Sequence, residues 1–179
     1  MALTRDQARQ TTRLDGERSR AGGWEINDQM WMNVVASGFT DLVAHPELGE
    51  VQLWEIQNRR DDWFHPVHIH LVDFQVLSRN GSAPFAWERG PKDTVYVGPE
   101  ETVQVLMRFA TGEGSSGGRY MVHCHNLVHE DHDMMVQYQV GDADPAADPN
   151  DPMTAAPPGI DDLPADQPSY ETPVAANGW

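Results

Sequence analysis

The sequence predicts an all-β fold, a Greek-key β-sandwich or barrel, on three observations. Seven strand-length apolar segments recur between residues 23 and 140. Turn signals separate them: Asn80-Gly81, Gly98-Pro99 and the run TGEGSSGG at 111 to 118. No stretch of this core repeats its apolar residues with the period of a long helix. Several short strands at this spacing point to a sandwich or a barrel.

The first 22 residues are polar and charged and end in Ala-Gly-Gly, which predicts a charged linker or a short helix. WEIN (24–27) and EVQLWEIQN (50–58) follow as strands, the second alternating Val51, Leu53 and Glu55 against Gln52, Trp54 and Ile56. VHIHLVDFQVLSR (67–79) reads as one long strand ending at the Asn-Gly turn, and DTVYV (93–97) as a short one. ETVQVLMRF (101–109) alternates cleanly through Val103, Val105, Met107 and Phe109. RYMVHC (119–124) and MMVQYQV (134–140) complete a domain expected over 23–140. From residue 141 the chain is rich in Asp, Pro and Ala with few large apolar residues. Such a tail offers too little burial to offset its ordering entropy and is expected to be mobile or draped on a partner.

Charge narrows the function. The formal net charge is −16, and eight acidic residues with no Lys or Arg lie in 141–179, leaving −8 for the rest. An acidic surface repels phosphate backbones and anionic lipid, so neither a nucleic acid nor a membrane is an expected partner. A single cysteine forms no internal disulfide and leaves the redox compartment open. The start lacks the apolar region of a secretory signal, and no apolar run is long enough to cross a bilayer. A soluble chain is expected, its compartment unknown.

Six of the eight histidines and the only cysteine fall in HPVHIH (65–70) and HCHNLVHEDHDMM (123–135). In a strand, side chains two apart share a face, so His68 pairs with His70 and His123 with His125, while Cys124 points the other way. Cys124, His129 five residues on and Met134 ten residues on have the spacing of a cupredoxin copper loop. With His65 as second imidazole this makes a His2Cys set with a weak axial thioether, which suits blue copper. A structural zinc site wants more thiolates or a closed tetrahedral set. A Cys/His nucleophile needs one histidine and leaves five unexplained. His45 and His132 read as ordinary satisfied or surface histidines.

These motifs, with WEIN, KDTV at 92–95 and ETV at 101–103, resemble the C-terminal cupredoxin domain of multicopper oxidases, in particular the bilirubin oxidase and bacterial laccase-like group, from about Trp24 to Val140. Leu71, where many fungal and plant laccases have Gly, fits that group. The resemblance implies a type 1 copper on His65, Cys124, His129 and Met134, a type 2 copper ligand in His68, and type 3 ligands in His70, His123 and His125. It also implies a short covalent electron route from Cys124 to His123 and His125, and Glu130 as a proton relay to bound oxygen. His129 and Trp63 would lie where electrons come in from the substrate.

In that family the trinuclear cluster is shared with an N-terminal domain, and this chain carries the C-terminal share only. Beyond the six motif histidines only His45 and His132 remain, with no further His-x-His pair. Three readings follow, in this order. The first is half of an oxidase that pairs with N-terminal cupredoxin domains on another chain, taking electrons singly from a phenolic, tetrapyrrole or metal-ion reductant and passing them to dioxygen. The second is a blue-copper carrier or copper-binding module. The third is a homodimer that completes the cluster from two copies. As part of a longer exported protein the chain would be extracytoplasmic.

Overall fold

Nine strands form in the computed structural model, which describes residues 3–19, 23–59, 63–110 and 117–142. They are β1 (Gln10–Arg18), β2 (Trp24–Ile26), β3 (Val51–Asn58), β4 (His65–Ile69), β5 (Phe74–Arg79), β6 (Thr94–Val97), β7 (Glu101–Arg108), β8 (Gly117–Cys124) and β9 (Met135–Gly141). Two short helices, α1 (Trp31–Ala36) and α2 (Leu127–Glu130), lie in the connections. One sheet has the order β2-β1-β3-β7-β5 and the other β6-β4-β8-β9, so the expected all-β sandwich is observed.

The apolar faces of both sheets supply one core. Trp54 of β3 meets Tyr138 of β9 edge-on at 5.5 Å, and Phe109 packs within 5.6 Å of both rings. All three are fully buried. Truncating a ring at such a place costs about 3–5 kcal/mol. The opposite face of β3 is covered as well. Val51 and Leu53 pack with Leu106 under Leu3, Ala8 and Leu77, which explains why β3 is buried on both sides.

The N-terminal segment departs from expectation. Residues expected to be a linker or short helix instead give a 3-10 turn (Arg5–Gln7) and then β1, paired in parallel with β3 from Gln10↔Gln52 to Gly16↔Asn58. The physical reason is its alternation: Thr12, Leu14 and Gly16 point inward between exposed or half-exposed neighbours. Only half a strand's residues need be apolar when one face is solvated.

The segment 67–79, expected as one strand, is two. After Ile69 the chain turns at Leu71, whose φ of +72° lies in the left-handed region, and Phe74 restarts in the other sheet against β7. Asn80-Gly81 forms the expected turn, with φ of +45° and +76°, values suited to Asn and Gly. Buried Arg79 then fastens three elements. It pairs with Glu88, which lies in the 3-10 turn Ala86–Glu88, reaches Glu101 of β7 at 2.8 Å, and donates to the Tyr96 carbonyl of β6 at 2.8 Å.

Gly141 closes β9, and the remainder of the tail expected to be mobile, residues 143–179, lies outside the described residues. Among the described residues no helix is long and apolar enough to cross a membrane.

Candidate metal centre

Period-two geometry divides the histidines as the spacing required. Along β4 burial alternates, with His65, Val67 and Ile69 inward and Pro66 and His68 outward. β8 lies antiparallel to it with Val67↔Cys124 and His68↔His123 as partners, so Cys124 joins the core and His123 joins His68 outside. A one-turn helix brings the third inner donor home. The Asn126 side chain caps α2 by accepting from the Val128 amide at 3.2 Å, and His129 on the next position is fully buried.

The inner set is a small triangle. His65 Nδ1 and His129 Nδ1 are 3.1 Å apart, and Cys124 Sγ lies 3.7 Å from the first and 3.5 Å from the second. A triangle of that size has its centre about 2 Å from each corner, the length of a metal–imidazole bond. Met134, also fully buried, lines one cavity with His65, Leu14, Gly16, Ile26 and Val97. Burial pushes the Cys124 thiol up to about 11, with the Asn126 amide opposing and the Glu130 charge adding to the rise. A cation at the centre of the triangle inverts that balance and favours the thiolate. Two imidazoles, a thiol and a thioether in a dry site therefore fit a soft metal such as copper.

The outer set is open to one side. His68, His123 and His125 bring ring nitrogens within 4.8 Å of one another, and His70 Nε2 lies 3.1 Å from His123 Nε2. His68 Nδ1 is 2.9 Å from the Asp93 carbonyl, which can only accept; the proton therefore sits on Nδ1 and the Nε2 lone pair is bare. That is the arrangement by which ligating histidines are commonly oriented. Burial, then the neighbouring His125, His70 and His68, lower the His123 pKa to about 4, and burial also lowers that of His70. Neutral rings keep lone pairs available. His125 is exposed.

The structure thus brings together His65, Cys124, His129 and Met134 on one side and His68, His70, His123 and His125 on the other. Trp63, 42% exposed, sets its ring edge-on to His129 at 5.3 Å. Glu130 is exposed at the end of α2, so a carboxylate expected beside a dry site faces solvent on this chain. His132 Nδ1 is satisfied by the Val128 carbonyl at 2.7 Å, and His45 Nε2 by that of Gly141 at 2.9 Å. Sequence reasoning missed two neighbours of the inner set. Trp24 stacks on His129, and Gly16 abuts Met134 and His65. Gly16 lay in the presumed linker and carried no signal; Trp24 carried one only through the WEIN motif.

Known proteins resemble this chain in sequence and in fold. The sequence model of the multicopper oxidase family matches residues 7–144. The chain is 43% identical over 119 residues to a bilirubin oxidase from Albifimbria verrucaria, covering 64% of this chain and 19% of that protein. It is 42% identical over 114 residues to a laccase from Haloferax volcanii, covering 62% and 18%. The crystal structure of the multicopper oxidase McoA from Aquifex aeolicus superposes with a TM-score of 0.71 at 32% identity, over 79% of this chain and 31% of that one. The chain spans about a fifth of the length of the curated relatives it matches.

Proposed function

The chain belongs to the multicopper oxidase family, a family that implies copper, and from that premise we propose that it supplies the electron-accepting site and half of the oxygen-reducing site of such an oxidase. His65, Cys124 and His129, with Met134 as a weak fourth ligand, would hold a type 1 copper. His68 would be a type 2 ligand, and His70, His123 and His125 type 3 ligands. Bound copper supplies one-electron redox chemistry at the first site and binding and reduction of dioxygen at the second.

One observation carries this reading: consecutive residues at the end of β8 and just past it belong to two different donor sets, Cys124 to the inner one and His123 and His125 to the outer one. The chain's own residues then do the rest. Asn126 holds the thiol through an amide donated to Sγ at 3.4 Å, and Asp93 fixes the His68 tautomer. Trp24 and Trp63 keep water from His129, with Trp63 as the exposed indole where a reductant would deliver electrons. Glu130 as a proton donor to oxygen belongs to the same proposal.

The outer set needs a complement. His125 is exposed, and Leu71 beside His70 and Tyr96 opposite Pro66 present apolar surface around it. An open face of this kind supports completion by N-terminal cupredoxin domains, on the same or another chain, or by a second copy of this one, over a stand-alone carrier. The reductant would be phenolic, a tetrapyrrole or a metal ion.

The test is to load the chain with copper and record copper content, visible absorption and paramagnetic resonance together. One blue copper per chain supports a site awaiting its complement. Blue copper joined by type 2 and spin-silent copper supports self-assembly. Copper bound without blue absorption rejects the inner-site assignment.

A further inference from the structure

The sequence marks Trp24 as a strand and motif residue without a role at the metal, yet its ring meets His129, His65 and Trp63 of the inner site. The indole lies 3.7 Å, centroid to centroid and 25° from parallel, on the His129 imidazole. It stands edge-on to His65 at 5.7 Å and to Trp63 at 6.1 Å. The position follows from the fold. β2 pairs with the end of β1 in the register Arg18↔Trp24, which places the indole, itself buried, over the one-turn helix that carries His129. Above it lies the Arg18 guanidinium, 5.9 Å from the ring centroid.

We propose that Trp24 is a positioning residue for the type 1 copper: it fixes the plane of His129 and seals that ligand from water, and so raises the reduction potential of the site. The proposal rests on the type 1 reading above.

Two physical effects act in the same direction. His129 is carried by a single helical turn flanked by exposed Val128 and Glu130, so the local backbone gives its ring little support. A near-parallel stack restricts rotation about the Cβ–Cγ bond and holds Nδ1 on the triangle. Burial is the second effect. The reduced ion carries one charge fewer than the oxidised ion, so excluding water from its ligands disfavours oxidation, as hydrophobic surroundings do at blue-copper sites generally. Arg18 adds positive charge on the far side of the indole, but it is exposed and therefore screened. The ring is the larger contributor. An ordinary core tryptophan would need apolar neighbours only, and would be replaced by another large hydrophobe without consequence for the metal.

The experiment compares full-length wild type, Trp24→Leu and Trp24→Phe, each loaded with copper(II). Midpoint potential, the visible band and the paramagnetic spectrum are measured, and circular dichroism of the metal-free chains reports folding. Trp24→Leu should shift the reduction equilibrium at least tenfold toward the oxidised form, about 59 mV for a one-electron couple, and broaden the resonance signal. Trp24→Phe keeps an aromatic plane and should recover more than half of the shift; should the leucine variant not fold, the phenylalanine variant must still show a measurable shift of the same sign. A folded Trp24→Leu with wild-type potential and spectra overturns the proposal, as do equal shifts in both variants. Wild type that binds copper without blue absorption rejects the type 1 reading itself, and this inference with it.

Discussion

His123 and Cys124 are covalent neighbours in β8 that point to opposite faces of one sheet, His123 into the outer imidazole cluster and Cys124 into the buried triangle with His65 and His129. Two donor sets are thus joined by a single peptide unit. Their independence is testable, because side chains on opposite faces can be altered one at a time.

Cys124→Ser should abolish the intense blue absorption, since a serine hydroxyl provides no thiolate-to-copper charge transfer. A buried hydroxyl in place of the thiol is expected to cost about 1–3 kcal/mol of folding stability. His68→Ala, on the outer face, should leave the blue band in place. Visible spectra of the two copper-loaded variants check both statements, and a serine variant that stays blue removes Cys124 from the inner site.

Gly16→Val should injure the inner site from the opposite sheet. A Cβ at Gly16 would stand 3.1 Å from Met134 Cε and 3.4 Å from the His65 ring. Alanine is accommodated by a small shift of the flexible methionine. Valine adds branches against the thioether and the imidazole, which costs about 1–3 kcal/mol. It should also displace the thioether, altering the ratio of the visible bands. Thermal unfolding of the metal-free chain with spectra of the loaded chain measures the two effects separately.

Gly16 also shows where reading the chain alone stopped. The histidine sets were legible because strand periodicity is local: residues two apart share a face whatever the rest of the fold does. The partners of Gly16 come from β3, β4 and the segment before β9, and β1 joins the sheet by parallel pairing across some forty residues. No local period announces that. The corner at Leu71 was hidden for a related reason, since Val67 to Arg79 is apolar enough on both sides of it to read as continuous. Trp24 was visible as a motif residue, but its stack on His129 depends on the β1–β2 register.

Arg79 should give the chain an acid-sensitive fastening. Its hydrogen bonds hold the Glu88 carboxyl below the ordinary glutamate value, despite the opposing effect of burial. A carboxyl whose folded pKa is lowered stabilises the fold above its unfolded pKa, and that contribution is lost as pH falls through the lower folded value. Stability should therefore decline on acidification below glutamate's usual range, and Glu88→Gln should flatten that decline. Arg79→Met leaves two carboxylates near each other without their cation, at a cost of about 3–5 kcal/mol near neutrality. Denaturant unfolding of the metal-free chains as a function of pH tests all three statements; an unchanged acid limb in Glu88→Gln would remove this pair from the account.

Tyr138→Phe should loosen the outer set without touching a ligand. The phenol is buried in the aromatic core, and its hydroxyl donates to the His70 carbonyl at the corner where the chain leaves β4. Removing the hydroxyl keeps the ring packing with Trp54 and Phe109 and leaves the His70 carbonyl with the Val72 amide as its remaining donor, a loss of about 0.5–1.5 kcal/mol. His70 is the cluster member nearest that corner, with its Nε2 against His123, so freedom at the carbonyl becomes freedom of the ring. The inner triangle shares the core face with the Tyr138 ring but has no share in this bond. Tyr138→Phe is therefore expected to retain the blue band at full intensity while binding copper more weakly at the outer histidines, as measured by copper titration in the presence of whatever copy or domain completes them. Equal weakening at both sites would mean that the hydroxyl supports the sandwich as a whole and not the corner that carries His70.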